Sequence, residues 1–209
     1  MIDLMQIFTL LTGVIYIVLE IRQKNFMWVV GIATSLAAMW VFFRQGLYAS
    51  FGLNTYYFIT AFIGLWQWRR NRAEFSADSG SSQSEEKDDV IILNRLTLKT
   101  VLVSALVSLC GIMALSYGMS ALHKAGILGE NPMSVLDSMV TVLSAVATWW
   151  LVKSYREQWW LWIVADTLSV VLCATQGMWA MSVLYLAYVA AAVYGLHYWK
   201  IKGVYINGI

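Results

Sequence analysis

Seven long apolar runs divide the chain, near residues 5–21, 28–43, 51–68, 100–119, 134–152, 159–175 and 180–199, each set off from the next by charge, glycine or a polar cluster. About 20 residues at 1.5 Å each cross the hydrocarbon of a bilayer, and the shorter runs gain length from their flanks. The pattern predicts seven membrane-spanning helices. Arg44, Gln45 and Gly46 divide the second run from the third, and Thr175, Gln176 and Gly177 divide the sixth from the seventh. Asn131 followed by Pro132 predicts an N-cap and a pre-set first helical position for the fifth run. Between the third and fourth runs, Ala73–Asp89 is serine-rich, acidic and without periodicity, which predicts a flexible linker over about 71–99 with no activity of its own.

Composition sharpens this picture. With 60% hydrophobic and 12% charged residues and a mean hydropathy of +0.65, the chain lacks the charge to coat a water-soluble surface. The basic residues also sort by side. Taking alternate loops, 12 of the 14 Lys and Arg fall after the first, third, fifth and seventh runs, leaving Arg44 and Lys124 on the other side. The positive-inside rule then places the C-terminus in the cytoplasm and the N-terminus outside. The first run has no basic leader and leads into Glu20, Ile21 and Arg22, so it is read as a retained span. Cys110 and Cys173 lie inside apolar runs and offer neither a disulfide framework nor a metal site.

Shifting the chain by 131 residues aligns its two ends without a gap. Trp28 meets Trp159, Ile32 meets Ile163, Gln45-Gly46 meets Gln176-Gly177, Ala49 meets Ala180 and Leu53 meets Leu184. Tyr57 then meets Tyr188, Ala61 meets Ala192, Gly64-Leu65 meets Gly195-Leu196 and Trp68 meets Trp199. Shared hydrophobicity does not align Trp, Gln, Gly and Tyr at one offset, so the chain reads as an internal duplication. Each unit has three spans, at 5–70 and 134–202. Three helices reverse the sense of insertion, and the span at 100–119 restores it. The predicted architecture is all-α, seven spans, 3+1+3, with parallel repeats of a kind used by transporters that bind solute near mid-membrane.

Polar groups inside the spans mark candidate chemistry. Trp159, Trp162 and Asp166 share one helical face at three-, four- and seven-residue spacing, while Trp160 points elsewhere. A carboxylate in that setting costs about 2.5–3.5 kcal/mol even on insertion scales, so Asp166 should face a cavity or a partner. The first repeat offers Thr34 and Ser35 at the positions of Ala165 and Asp166, which makes the two faces chemically unequal. Asn54, Tyr57, Tyr185 and Tyr188 add hydrogen-bonding and ring contacts suited to a flat polar solute, and a cationic ring would gain cation–π attraction of about 0.5–2 kcal/mol. The Tyr57 and Gly64 stripe and its counterpart also fit close helix packing, with the glycines permitting approach. Enzyme signatures are poor: His123, placed in an external loop, and His197 stand apart, and no metal, phosphate-loop or paired-cysteine motif accompanies them. No metal, cofactor or nucleic-acid partner is expected.

At Trp159-x-x-Trp162-x-x-x-Asp166, with the Gln176-Gly177-Met178-Trp179 turn and the Tyr185–Trp199 ending, the sequence resembles the PnuC family of bacterial vitamin transporters. Gly46-Leu47-Tyr48-Ala49 and Gly64-Leu65-Trp66-Gln67-Trp68 extend the resemblance, which covers about 5–70 and 100–202. It implies a fold related to the SWEET sugar transporters, often trimeric, in the bacterial inner membrane. It also implies facilitated diffusion of an unphosphorylated vitamin, most often nicotinamide riboside and in relatives thiamine or riboflavin, trapped by a cytoplasmic kinase. Trp159, Trp162 and Asp166 match the family's binding motif, whose last position is Asn or Asp. Ionised Asp only accepts hydrogen bonds but attracts a positive ring, which leaves nicotinamide riboside and thiamine both open. A cation-coupled transporter and a structural or sensory membrane protein are the readings from other classes.

Overall fold

The computed structural model describes residues 4–44, 48–78, 90–126 and 133–205. Among the described residues there are seven α-helices: α1 (Leu4–Ile21), α2 (Phe26–Arg44), α3 (Tyr48–Asp78), α4 (Leu98–Lys124), α5 (Ser134–Val152), α6 (Gln158–Thr175) and α7 (Trp179–Lys202). Two short strands, β1 (Ile91–Leu93) and β2 (Gly203–Tyr205), pair in parallel with Ile92 opposite Val204. Among the described residues, four helices are long and apolar enough to cross a membrane: α4, α5, α6 and the Met181–Lys202 part of α7. The cap expected at Asn131-Pro132, the Gln45-Gly46 turn and residues 79–89 of the linker lie outside the described residues.

The structure departs from the hydropathy boundaries where polar side chains carry helices beyond the apolar runs. Helix α3 continues ten residues past Trp68, to Asp78. There Gln67 donates to Asn71 at 2.8 Å and Arg70 pairs with Glu74 at 2.6 Å, both at the i, i+4 spacing that supports a helix in water. Thr97 caps α4 by accepting the Thr100 backbone N–H at 3.3 Å. At its far end α4 runs through His123 and Lys124, so His123 occupies a last helical turn rather than a loop. No side chain of α4 is buried, although Gly111 brings one of its faces against Val142 of α5. Of the 71–99 segment expected to be a flexible linker, residues 71–78 therefore belong to α3, 91–93 to β1 and 98–99 to α4.

The chain forms two compact units, and these cut across the sequence repeats. One comprises Met1–Asn94, Thr148–Arg156 and His197–Ile209, the other Arg95–Ala147 and Glu157–Leu196. Within the first unit, α1 and α5 end in the same way. Gln23 and Ser154, 131 residues apart, both take a left-handed backbone, with φ of 49° and 55°. At the first corner Gln23 N–H donates to Glu20 O and Lys24 N–H to Leu19 O, both at 2.9 Å. At the second, Ser154 N–H donates to Leu151 O at 2.9 Å and Tyr155 N–H to Trp150 O at 3.0 Å. This paired-bond motif closes a helix by giving its last carbonyls donors, and it usually employs glycine.

The segment after the linker is threaded between these corners. The Gln23 side-chain amide grips both sides of one residue: Nε2 donates to Ile92 O at 2.8 Å, and Ile92 N–H donates to Oε1 at 2.7 Å. Arg72 donates to Gln23 O at 3.3 Å. On the other side, Asn94 N–H donates to Ser154 O at 3.2 Å and Asn94 Nδ2 to Lys153 O at 2.8 Å. All three β1 side chains are buried. Two indoles complete the knot: Trp68 donates to Leu151 O at 3.1 Å, and Trp199 donates to Ile21 O at 2.9 Å. Each tryptophan belongs to one sequence repeat and bonds the closing turn of the other repeat's first helix. Because lipid tails are as apolar as leucine, such interhelical hydrogen bonds and close contacts hold helices together where the hydrophobic effect cannot.

Candidate functional site

The predicted site residues fall into two groups, one in each unit. In the second unit, α6 presents Trp159, Trp162 and Asp166 along one face, as the 3.6-residue period requires. Trp160, one position off the stripe, is 59% exposed. Asp166 is buried at 7% exposure in a helix with no basic residue, so nothing on its own helix neutralises the carboxylate. Tyr185 and Tyr188 of α7 both lie close enough to interact electrostatically with Asp166. Their rings meet edge to face with centroids 6.0 Å apart. Trp162 is half-buried, but its indole Nε1 is sealed and has no hydrogen-bond partner. A buried donor left unsatisfied is uncommon and calls for a reason.

Trp159 has different surroundings. It is 1% exposed, with its six-membered ring against the α-carbon of Gly195 on α7. Its contact is therefore with a neighbouring helix backbone. The same stripe continues past the predicted residues to Ser169 and Cys173, both buried, at i+3 and i+7 from Asp166. Cys173 also lies within electrostatic range of Tyr185. Ser169 donates its hydroxyl to Ala165 O at 2.9 Å, the usual way a helix accommodates serine in apolar surroundings. The helical period was the available signal for these two positions. Gly177, with φ of 72°, lets the chain reverse from α6 to α7, and Met178 N–H donates back to Cys173 O at 2.9 Å.

In the first unit, Ser35 is buried on α2, and Asn54 and Tyr57 are half-buried on α3. Thr34 is exposed, and its hydroxyl turns back to its own helix, donating toward Val30 O at 2.9 Å and Gly31 O at 3.2 Å. The Thr34 donor is thus used locally, and its oxygen remains able to accept. Tyr57 lies in ring contact with Tyr56 and within electrostatic range of Tyr16 on α1, a residue that the polar pattern of the first span did not single out. Trp28 sits on Gly64 here as Trp159 sits on Gly195 in the other unit. Trp28 also meets Trp68 edge to face at 5.1 Å. Among the described residues no group of His, Cys, Asp and Glu has the composition of a metal site. The arrangement brings an acceptor, a donor and aromatic rings to one helix pair, which suits reversible binding of a polar ring.

Comparison with known proteins identifies the family. The nicotinamide riboside transporter PnuC of Escherichia coli K12 is 28% identical over 166 residues, covering 76% of this chain and 69% of that one. Its counterpart in Haemophilus influenzae is 26% identical over 190 residues, 90% of this chain and 76% of the relative. The crystal structure of the vitamin B3 transporter PnuC superposes with a TM-score of 0.63 at 25% identity, over 92% of this chain and 79% of that one. The sequence profile of the nicotinamide mononucleotide transporter family matches residues 3–201. This chain is a multi-pass membrane protein and a transporter rather than an enzyme, and it belongs to the nicotinamide mononucleotide transporter family.

Proposed function

We propose that the protein carries nicotinamide riboside across the bacterial inner membrane by facilitated diffusion, alternating access being driven by tilting of one helix triplet against the other. The observation that carries this reading is the buried Asp166 carboxylate with Tyr185 and Tyr188 beside it and the unpartnered Trp162 indole on the same face. Nicotinamide riboside has a pyridinium ring for the carboxylate and aromatic faces, and hydroxyl and carboxamide oxygens for the indole N–H. Relatives named for transport of this solute support the choice. On this reading Trp162, Asp166, Tyr185 and Tyr188 are the second repeat's contacts, with Trp159 behind them, and Asn54, Tyr57, Ser35 and Thr34 are the first repeat's candidates.

The wider reading includes a SWEET-like 3+1+3 fold with repeats at 5–70 and 134–202, an external N-terminus and a homotrimer. It also includes a cytoplasmic kinase that traps the product without direct contact. Purified protein in liposomes should equilibrate labelled nicotinamide riboside with no ATP and no imposed ion gradient. A panel of nicotinamide riboside, nicotinamide, nicotinamide mononucleotide, thiamine and riboflavin tests selectivity. Robust exchange of thiamine beside none of nicotinamide riboside would replace the substrate, and uptake that requires an ion gradient would replace the mechanism.

A further inference from the structure

We propose that Gly195 is a positioning residue for solute binding. It acts through Trp159, fixing how α6 lies on α7 and hence where Trp162 and Asp166 stand; this rests on the reading above. A methyl group added at Gly195 would lie 2.6 Å from Cζ2 and Cη2 of Trp159 and 2.8 Å from Cε2. Carbon atoms rest about 3.5–4.0 Å apart, so roughly an ångström must be found. The obstruction is the rigid six-membered ring of an indole that is 1% exposed, and it has no free end to swing aside. The adjustment therefore falls on the helix backbones. Trp159 stands in the first turn of α6, and Trp162 and Asp166 follow it on the same face, so a shift at the notch is carried directly to the binding side chains.

The first repeat carries the same contact beside an uncharged and less aromatic candidate face. Trp28 meets Gly64 just as tightly, at 2.5 Å for an added methyl, yet the positions equivalent to Trp162 and Asp166 hold Gly31 and Ser35. A purely structural notch would make Gly64→Ala and Gly195→Ala equal in every measurement. A positioning notch makes them equal in stability and unequal in affinity.

The test is initial-rate uptake of labelled nicotinamide riboside by the full chain in liposomes, with thermal stability measured alongside. Gly195→Ala should raise KM by about ten- to a hundredfold, the scale of an ångström-sized misplacement, with Vmax little changed. Gly64→Ala should lower thermal stability as much while leaving KM within about threefold, far below the change that misplacement brings. Trp159→Phe combined with Gly195→Ala should bind more tightly than Trp159→Phe alone, because the methyl refills the space left by the smaller ring. That pair decides the matter if Gly195→Ala alone does not assemble. An unchanged KM in Gly195→Ala, equal KM changes in the two glycine variants, or a double variant no tighter than Trp159→Phe would overturn the positioning role. Failure of the parent to take up nicotinamide riboside would overturn the substrate assignment and is read first.

Discussion

The first and second repeats are alike in scaffold and unlike in chemistry. At one offset they share a left-handed corner, at Gln23 and Ser154, a tryptophan on a glycine, at Trp28 on Gly64 and Trp159 on Gly195, and an indole bonded to a carbonyl, at Trp68 and Trp199. At the same offset, Gly31 stands for Trp162, Ser35 for Asp166 and Asn54 for Tyr185. At this offset the residues that join helices are alike and the polar face differs. A solute with a charged ring at one end and a sugar at the other needs such unequal partners, whereas helix joining does not.

The largest effect expected from breaking this comparison is at its most unequal pair. Asp166→Ala should weaken nicotinamide riboside binding by about ten- to a hundredfold, the loss of one hydrogen bond to a charged group. Ser35→Ala should change it by about fivefold at most, the smaller scale of a neutral hydrogen bond. Isothermal titration on the detergent-solubilised protein reads both, and equal losses would refute the assignment of unequal roles. Next come the corners. Gln23→Ala strips both bonds from the buried Ile92 peptide and should cost about 2 kcal/mol. Ser154→Gly removes a buried hydroxyl that has no partner and relieves a left-handed backbone, so it should raise stability by up to about 1 kcal/mol. Thermal unfolding of the two variants should thus move in opposite directions.

Smaller still is Trp162→Phe, which keeps a ring and loses the indole N–H. Binding should fall by roughly fivefold, the worth of one ordinary hydrogen bond, with assembly intact. Smallest is the difference between Trp68→Phe and Trp199→Phe. Each loses one indole-to-carbonyl bond and about 1 kcal/mol, and their melting temperatures should agree closely. A large gap between them would show that the two indole bonds do not bear equal loads.

Much of the helical framework was legible because hydrocarbon thickness imposes long apolar runs, and α5 and α6 begin and end within a residue of their predicted ranges. What hydropathy could not see lies at the membrane's edge. The last ten residues of α3 carry the exposed pair Arg70–Glu74 and the part-buried pair Gln67–Asn71, polar contacts that hydropathy does not weigh. Ile91–Leu93 is too short for any periodicity, and its partner strand is about 110 residues away. The corners were hidden for another reason: glycine is the usual mark of a left-handed cap, and here Gln and Ser occupy it. On α6, Trp159, Trp162 and Asp166 share one face, as their spacing implies for a helix. Spacing could not tell that Trp159 presses on the backbone of Gly195, because that depends on which residue of α7 lies opposite. Nor could spacing tell that the Thr34 hydroxyl donates to its own helix, since that depends on its rotamer.

The parallel union of β1 with β2 has a consequence for biogenesis. Ile91–Leu93 emerges from the ribosome before α4, yet its mate follows α7, so the interval between them spans four helices that must first enter the bilayer. Long-range pairing of this kind closes late, and until it does the apolar triplet and the last turns of α1 and α5 stand unclasped. The fastening of Gln23, Asn94, Trp68 and Trp199 into one knot thus waits on the last helix and β2, and a nascent protein stalled before Gly203 would carry an open seam.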